Sequence, residues 1–132
     1  MKRNESGMTL VELMVVLLIV AVLASIALPS YRQYVLRSHR VEAKTALLNL
    51  AAAQEKYYLT NNTYADDIDL LGLSGVTENG WYDIEITDGD TVGFSATATA
   101  TAKDQQDTDT RCASFTIDST GLKTATSTDC WQ

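Results

Sequence analysis

One apolar segment near the amino terminus constrains the fold of the whole chain. Residues 8–28 contain only three polar side chains in 21 positions, namely Thr9, Glu12 and Ser25. A helix rises about 1.5 Å per residue, so a segment of this length spans the roughly 30 Å hydrocarbon core of a bilayer. The segment therefore predicts a membrane-spanning helix, which leaves about a hundred residues for one small head domain.

Glu12 is the exception within this segment. A charge at the centre of a membrane helix costs roughly 2.5–3.5 kcal/mol on insertion scales. One interpretation is that Glu12 meets a cation in a bundle of apolar helices, which offsets the desolvation cost and fixes the register of the helices. The other is that its side chain reaches back to the headgroups and has no further role.

The chain has two cysteines, Cys112 and Cys130. An even number of cysteines is consistent with one disulfide on the oxidising side of a membrane. Closing a loop of this length contributes about 3 kcal/mol in the chain-entropy model. The alternative is a pair of reduced, buried thiols. We favour the disulfide because a small head benefits from a covalent cross-link.

The basic residues beside the apolar segment argue against placing the head on the oxidising side of the membrane. Lys2 and Arg3 precede the segment, and a larger basic group follows it closely at Arg32, Arg37, Arg40 and Lys44. The positive-inside rule would place the head in the cytoplasm. We give the cysteines precedence and expect the head on the far, periplasmic side.

The head is acidic. From Ala65 to the carboxy terminus, thirteen Asp and Glu residues face only Lys103, Arg111 and Lys123, within a chain of formal net charge -7. Such a surface repels phosphate backbones, which disfavours DNA as a partner. The exception would be a small basic patch, formed if the three cations converge beside the disulfide loop.

Beyond Pro29 the chain keeps helical periodicity. Apolar residues recur at intervals of three and four, which predicts one helix from Met8 to about Leu59; they are Ala43, Ala46, Leu47, Leu50, Ala53 and Tyr57. Pro29 lies inside this helix, where its ring removes a backbone donor and clashes with the carbonyl of Ser25. A bend is therefore expected at Pro29.

The remaining sequence alternates with the period of β-strands. The segments WYDIEITD, TVGFSATATATA, CASFTID and LKTAT each place apolar side chains on one face. The first two are expected to join through a turn at Asp88, Gly89 and Asp90, with Val92 and Phe94 on the apolar face. The predicted fold class is α+β, in which a long amino-terminal helix packs on a four-stranded antiparallel sheet.

The run Gly7, Met8, Thr9, Leu10, Val11 and Glu12, followed by an apolar helix, resembles the amino terminus of type IV pilins. The resemblance implies that prepilin peptidase cuts between Gly7 and Met8 and that Met8 is then N-methylated, although Phe is the usual residue there. It also implies that Glu12 pairs with the amino-terminal amine of a neighbouring subunit. The domains would be a leader at 1–7, a transmembrane and polymerisation helix at 8–29, and a head at 30–132.

The carboxy-terminal segment from Cys112 to Trp131 also resembles pilins, in which a disulfide bounds a variable loop. The resemblance implies a structural subunit, minor-pilin-like, which is held in the inner membrane and then assembled with other pilin subunits into an extracellular filament. Such pili support adhesion, twitching motility or DNA uptake. The alternatives are a type II secretion pseudopilin and a DNA-binding minor pilin that acts as an uptake receptor.

No catalytic residues, metal site or cofactor are predicted. His39 is the only histidine, and both cysteines are assigned to the disulfide. The acidic segment from Asp104 to Thr110 lacks the Gly and the distal Glu of an EF-hand, and the acidic group at residues 66–69 is typical of a solvated loop. The sequence therefore predicts a structural protein rather than an enzyme.

Overall fold

The computed structural model describes residues 7–132, so residues 1–6 of the expected leader lie outside the described part. The helix α1 is followed by four strands that form one antiparallel sheet in the order β1-β2-β3-β4. The bounds are α1 Leu10–Asn61, β1 Tyr82–Gly89, β2 Phe94–Ala100, β3 Ser114–Asp118 and β4 Lys123–Ala125. The predicted α+β architecture is confirmed.

The chain forms two compact units, one that ends at Val35 and one from Leu36 to Gln132. In the first unit α1 is helical from Leu10 onward and solvent-accessible along almost its entire length. None of its most apolar window is buried, and its length and composition suit a membrane span. The membrane span at residues 8–29 stays a prediction from the sequence.

Within the second unit, α1 buries one face. Its buried residues in this unit recur at intervals of three or four, as the sequence predicts for an amphipathic helix; they are Leu36, His39, Ala43, Leu47, Leu50 and Gln54. Three of them join the hydrophobic core with the inner face of the sheet. The polar members, His39 and Gln54, are satisfied by hydrogen bonds.

The sheet supplies the other half of the core. Its inner face places large side chains of β1 and β3 beside one phenylalanine and two alanines of β2, all 5 % exposed or less; the residues are Tyr82, Ile84, Phe94, Ala96, Ala98, Phe115 and Ile117. Ala96 and Ala98 in the second strand occupy little volume, which leaves space for Leu47 and Leu50 of the helix in the same cluster. The ring of Phe115 packs edge-on against Tyr82, with the centroids 5.8 Å apart.

The hairpin between β1 and β2 differs from the sequence prediction. A β-bulge shifts the register between Ile86 and Asp88, so β1 extends to Gly89. The turn follows at Asp90, whose Oδ1 accepts the backbone N–H groups of Val92 at 2.6 Å and Gly93 at 2.9 Å. The turn predicted at residues 88–90 is therefore wrong by two to three positions, since it lies at residues 90–93.

Val92 is also misplaced by the sequence pattern. It lies in this turn and is 86 % exposed, because β2 begins two residues later at Phe94. Ala102, predicted to continue the strand, lies instead in the exposed segment after β2. The alternation of apolar and polar residues in the sequence thus extends beyond both ends of β2.

Two side chains of α1 hold the segment between the helix and the sheet. The amide of Gln54 accepts the N–H of Ala65 and donates to its carbonyl, both at 2.8 Å. Farther along, the Glu42 carboxylate accepts the backbone and side-chain N–H groups of Asn79, also at 2.8 Å. The loop is therefore tied to α1 at both ends.

Gly89 marks a close backbone approach. It pairs with Phe94 in the ladder, and a Cβ placed on it would lie 2.2 Å from the carbonyl oxygen of Ala65. Ala65 is held in place by Gln54, so the clash has no flexible neighbour to absorb it. Only glycine fits this position.

We predict that Gly89→Ala lowers the free energy of unfolding by at least about 2 kcal/mol, because overpacking here displaces backbone. Gly75→Ala is the matched control, since its Cβ would meet Ile84 oxygen at an ordinary 3.5 Å; its effect should stay within about 0.5 kcal/mol. Urea denaturation of the detergent-solubilised protein measures both. Equal stability of the two variants would contradict the close approach.

Candidate functional site

The predicted cleavage site, between Gly7 and Met8, lies in a segment without regular secondary structure. Gly7 and Met8 precede the helix, and Met8 is 65 % exposed. Thr9 begins the helix as a capping residue, because its Oγ1 accepts the backbone N–H of Glu12 at 3.2 Å. A peptidase could therefore reach the Gly7–Met8 bond without unwinding the helix.

Glu12 lies in the first turn of α1 and is exposed. Within the described residues its carboxylate makes no hydrogen bond or ion pair; only its backbone N–H is bonded, to Thr9. Large apolar side chains surround it on the helix, among them Leu13 and Val16. A cation that pairs with this carboxylate must come from outside the described chain.

Pro29 lies within the helical run, and α1 continues past it to Asn61. Four residues earlier, the Ser25 hydroxyl donates to the carbonyl of Val22 at 2.6 Å. A bend of the helix axis at Pro29 stays a prediction from the sequence.

The cysteines are joined. Cys112 and Cys130 form a disulfide with their Cα atoms 5.7 Å apart, and both are buried. The loop that it closes contains β3 and β4, and the carbonyl of Arg111 lies 3.3 Å from the Cys130 sulfur. The disulfide fixes the carboxy terminus beside the segment that leads into β3.

A buried polar cluster, which the sequence analysis did not identify, connects that segment to the helix. We call it the clamp; it consists of His39 and Arg40 from α1, Tyr82 from β1, and Gln106 and Asp109 from the loop before β3. Arg40 donates from Nε and Nη2 to the two oxygens of Asp109, at 2.6 and 2.8 Å. Asp109 is only 5 % exposed, so this is a largely desolvated, bidentate pair.

Gln106 is the centre of the clamp and is fully buried. Its Nε2 donates to the Tyr82 hydroxyl at 2.8 Å. Its Oε1 lies 2.8 Å from Nδ1 of His39, which therefore carries the proton in this arrangement. The His39 ring also stacks on Trp81 with centroids 3.5 Å apart. Every buried polar side chain among the described residues has a partner.

The clamp perturbs the titration of Tyr82. Burial of the phenol raises its pKa to about 12, and the charge of Asp109 acts in the same direction. The hydrogen bond from Gln106 and the charge of Arg40 oppose this shift without cancelling it. The hydroxyl is therefore held in its neutral form.

The sequence contained a partial signal for the clamp. His39 lies four residues before Ala43, which places it on the buried face of the helix. A buried histidine requires a polar partner, but nothing local in the sequence points to Gln106, 67 residues away. The acidic segment 104–110, which lacks the Gly and the distal Glu of an EF-hand, instead supplies Asp109 to Arg40 and Asp104 to Trp81 Nε1.

The three cations of the head have separate environments. Arg111 forms an ion pair with Asp129. The Lys123 ammonium lies 5.5 Å from the centre of the Trp131 ring, and the Lys103 side chain approaches Gly80. None of these contacts joins one of the three cations to another.

Solved structures share this architecture. A type IV pilin from Shewanella oneidensis is 24 % identical with a TM-score of 0.54, and the match covers 74 % of this chain and 98 % of that one. The non-core minor pilin PilV of Neisseria meningitidis is 23 % identical with a TM-score of 0.58, covering 73 % and 91 %. The fold is that of a type IV pilin.

Two family models match the sequence. Residues 2–28 match the prokaryotic N-terminal methylation motif, and residues 29–116 match the family described as type IV minor pilin ComP, DNA uptake sequence receptor. The second match covers 88 of the 132 residues. The chain therefore belongs to this type IV minor pilin family.

Curated relatives are pilins as well. The fimbrial protein EcpC of Eikenella corrodens is 40 % identical over 86 residues, which are 62 % of this chain and 53 % of EcpC. The type IV major pilin protein PilA of Myxococcus xanthus is 39 % identical over 72 residues, 54 % and 32 % of the two chains. The chain thus spans about half or less of the length of these relatives.

We predict that the free energy of unfolding falls between pH 10 and 12 because of Tyr82. The folded state keeps a proton that the unfolded state, with an ordinary pKa of 10.0, releases above pH 10. The stabilisation is complete below pH 10 and is lost as the pH rises towards 12, by up to about 2 kcal/mol.

The measurement compares urea denaturation of the wild type and of Tyr82→Phe across this pH range. The variant should be less stable at neutral pH but should lose less stability on alkalinisation. Tyr34→Phe, which changes an exposed ring, is the control and should behave like the wild type. Parallel pH profiles of the wild type and Tyr82→Phe would show that the hydroxyl is solvated.

Proposed function

We propose that this protein is a minor subunit of a type IV pilus. In this proposal prepilin peptidase cuts the Gly7–Met8 bond, Met8 is N-methylated, and residues 8–29 hold the protein in the inner membrane before assembly. The head, residues 30–132, lies in the periplasm and later on the filament surface. The match of residues 2–28 to the N-terminal methylation motif, continuous with an apolar and exposed helix, is the observation that carries the proposal.

Assembly is assigned to Glu12. An unpaired carboxylate in an apolar helix gains most from a cation that is itself desolvated, and the amine at the new amino terminus of a neighbouring subunit is such a cation. The accessible position of Glu12 in the first turn of α1 supports this role. The pairing would also set the axial position of each incoming subunit.

The relatives favour a pilus over a secretion pseudopilus. EcpC and PilA are described as fimbrial and as a type IV major pilin protein, respectively. The disulfide at the carboxy terminus, which resembles that of pilins, supports the same choice. Recovery of the protein in sheared surface filaments would support the pilus, whereas its absence there together with a secretion defect would support the pseudopilus.

A second candidate function is reception of DNA, since the matched family is described as a DNA uptake sequence receptor. The charge of this head opposes sequence-independent binding, which rests on cations that neutralise phosphates. Arg40 and Arg111 are already paired with carboxylates. Any strong binding would therefore have to come from contacts with bases or with DNA shape.

We predict that Glu12→Val leaves the protein in the membrane but greatly reduces its entry into pili, because the charge pair between subunits is lost. Ser25→Val is the matched control: it also makes the span more apolar but leaves the Glu12 motif intact. Immunoblots of sheared pili and of membranes measure the two pools. Intact masses that begin at Met8 in both variants would show that processing is unaffected. Normal incorporation of Glu12→Val into pili would show instead that the Glu12 side chain only reaches the lipid headgroups and has no role in assembly.

We predict that the protein binds a random DNA duplex no more tightly than about 10⁻⁴ M at physiological salt. Gel-shift titrations at two salt concentrations, with a random duplex and with one that carries an uptake sequence, measure this affinity. Micromolar binding to the random duplex that weakens with salt and is lost in Arg111→Ala would contradict the prediction. Tight binding confined to the uptake sequence would instead support a receptor that reads sequence.

A further inference from the structure

Within the head, α1 has a second patterned face opposite the one that packs on the sheet. We call this face the outer seam. Its residues are spaced alternately three and four positions apart, and all of them are exposed. They are Ser38, Val41, Thr45, Leu48, Ala52, Glu55 and Leu59. Val41, Leu48 and Leu59 are 57 %, 45 % and 83 % exposed, respectively. This heptad spacing is typical of a helix that packs along another helix.

The composition of the outer seam lowers the cost of burying it. Small residues at 38, 45 and 52 allow close approach, and the larger Val41 and Leu48 alternate with them. The Thr45 hydroxyl donates to the Val41 carbonyl at 2.8 Å, so its hydrogen bond is made within the helix. Glu55 interrupts the apolar part before Leu59 and accepts a hydrogen bond from the Tyr64 hydroxyl of its own head.

Opposite charges flank the outer seam. Arg37 precedes Ser38 on one side and is exposed, with no hydrogen bond or ion pair within residues 7–132. Glu42 lies on the other side, five residues farther on. Burial acts to raise the Glu42 pKa, but hydrogen bonds from Asn79 outweigh it and lower the pKa, so the side chain is ionised and oriented.

These positions select one way of pairing two copies. In a parallel, in-register pair of helices, a residue that flanks the seam on one side faces the residue five positions later in the partner helix. Arg37 of each copy therefore faces Glu42 of the other, which gives two such contacts. An offset of seven residues would replace these contacts with one attractive pair, Lys44 with Glu42, and one repulsive pair, Lys44 with Lys56. In register, Glu55 of each copy also faces its counterpart across the seam, so two attractive contacts stand against one repulsive contact, whereas the staggered pair has one of each. The balance of charge therefore favours the in-register arrangement.

We propose that, before assembly, two copies of this protein pair in parallel and in register along the outer seam. The proposal rests on the proposed membrane anchor, because anchoring in one membrane gives both helices the same direction and raises their effective concentration. The occupant of the seam in this state is a second copy, with Arg37 of each chain facing Glu42 of the other.

Cysteine cross-linking of the full-length protein in membranes tests the register. The native cysteines form a disulfide, so Leu48→Cys and Val41→Cys each introduce one free thiol. Mild oxidation should give same-position dimers for both variants. Thr99→Cys, exposed on the outer face of the sheet, is the control and should remain monomeric.

Co-expression of differently tagged Val41→Cys and Leu48→Cys chains tests for a stagger. Positions seven residues apart lie about 10 Å apart along a helix, so mixed dimers should be fewer than same-position dimers. Mixed dimers alone would overturn the proposal in favour of a staggered pair. Cross-links to a different protein, or none at all, would also overturn it.

Arg37→Glu tests the charges. In the Leu48→Cys background it should lower the dimer yield by about fivefold, because two attractive flanking pairs become repulsive. Arg37→Lys should retain most of the yield. Arg37 has no contact in its own head that the change would break, so an unchanged yield for Arg37→Glu would refute the charge pairing.

Filament entry is measured separately in sheared pili from the same cells. Absence of the wild-type protein from pili, with membrane dimers present, would refute only the proposed pilus function. Normal entry into pili, with no same-position dimers in membranes, would refute only the pairing. The two proposals can therefore fail independently.

Discussion

Burial of one face of α1 by the sheet is the interaction on which the rest of the head depends. A four-stranded sheet with a single apolar face is stable only when another layer covers that face. Leu47 and Leu50 supply this cover, and each fully buried leucine contributes about 1.5–3 kcal/mol. Because these residues belong to the same helix as the apolar amino-terminal segment, the chain cannot lose α1 without losing the core of its head.

The clamp extends this dependence to the carboxy-terminal part of the chain. The loop after β2 has no regular strand or long helix, and two of its residues, Asp104 and Gln105, have left-handed backbone angles. Its position is set by Asp109 on Arg40 and then by the disulfide at Cys112. Removal of one member of a buried ion pair costs about 3–5 kcal/mol, so the helix and the disulfide loop are energetically coupled.

The sequence predicted the features that depend on local periodicity. The 3.6-residue period identified α1 to within two residues at each end, and the period of two identified the strands. It failed where one inserted residue changes the register: the bulge after Ile86 moved the turn to Asp90 and left Val92 exposed. A single sequence gives no signal for such a bulge, since the alternation on both sides of it looks regular.

Contacts between residues far apart in sequence were beyond prediction for another reason. Arg40 and Asp109 are separated by 69 residues, and each alone has the character of a solvated surface charge. Their pairing becomes visible only when the sheet brings the loop before β3 beside the helix. The candidate residues for processing and assembly, Gly7, Met8 and Glu12, could be proposed from the motif alone because they lie within six consecutive positions, and their roles stay predictions.

The clamp and Glu12 show opposite solutions to the same physical problem. In the head, each buried polar group has a partner within the chain, as Asp109 has Arg40. Glu12 has none in the described chain, although its expected surroundings are far less polar than water. The other polar groups of the chain are satisfied, whereas this carboxylate is unpaired in an apolar helix. Its pairing with an external cation therefore lowers the free energy of the protein. This asymmetry gives the proposed assembly step its direction, because desolvation is offset only after a second subunit supplies the charge.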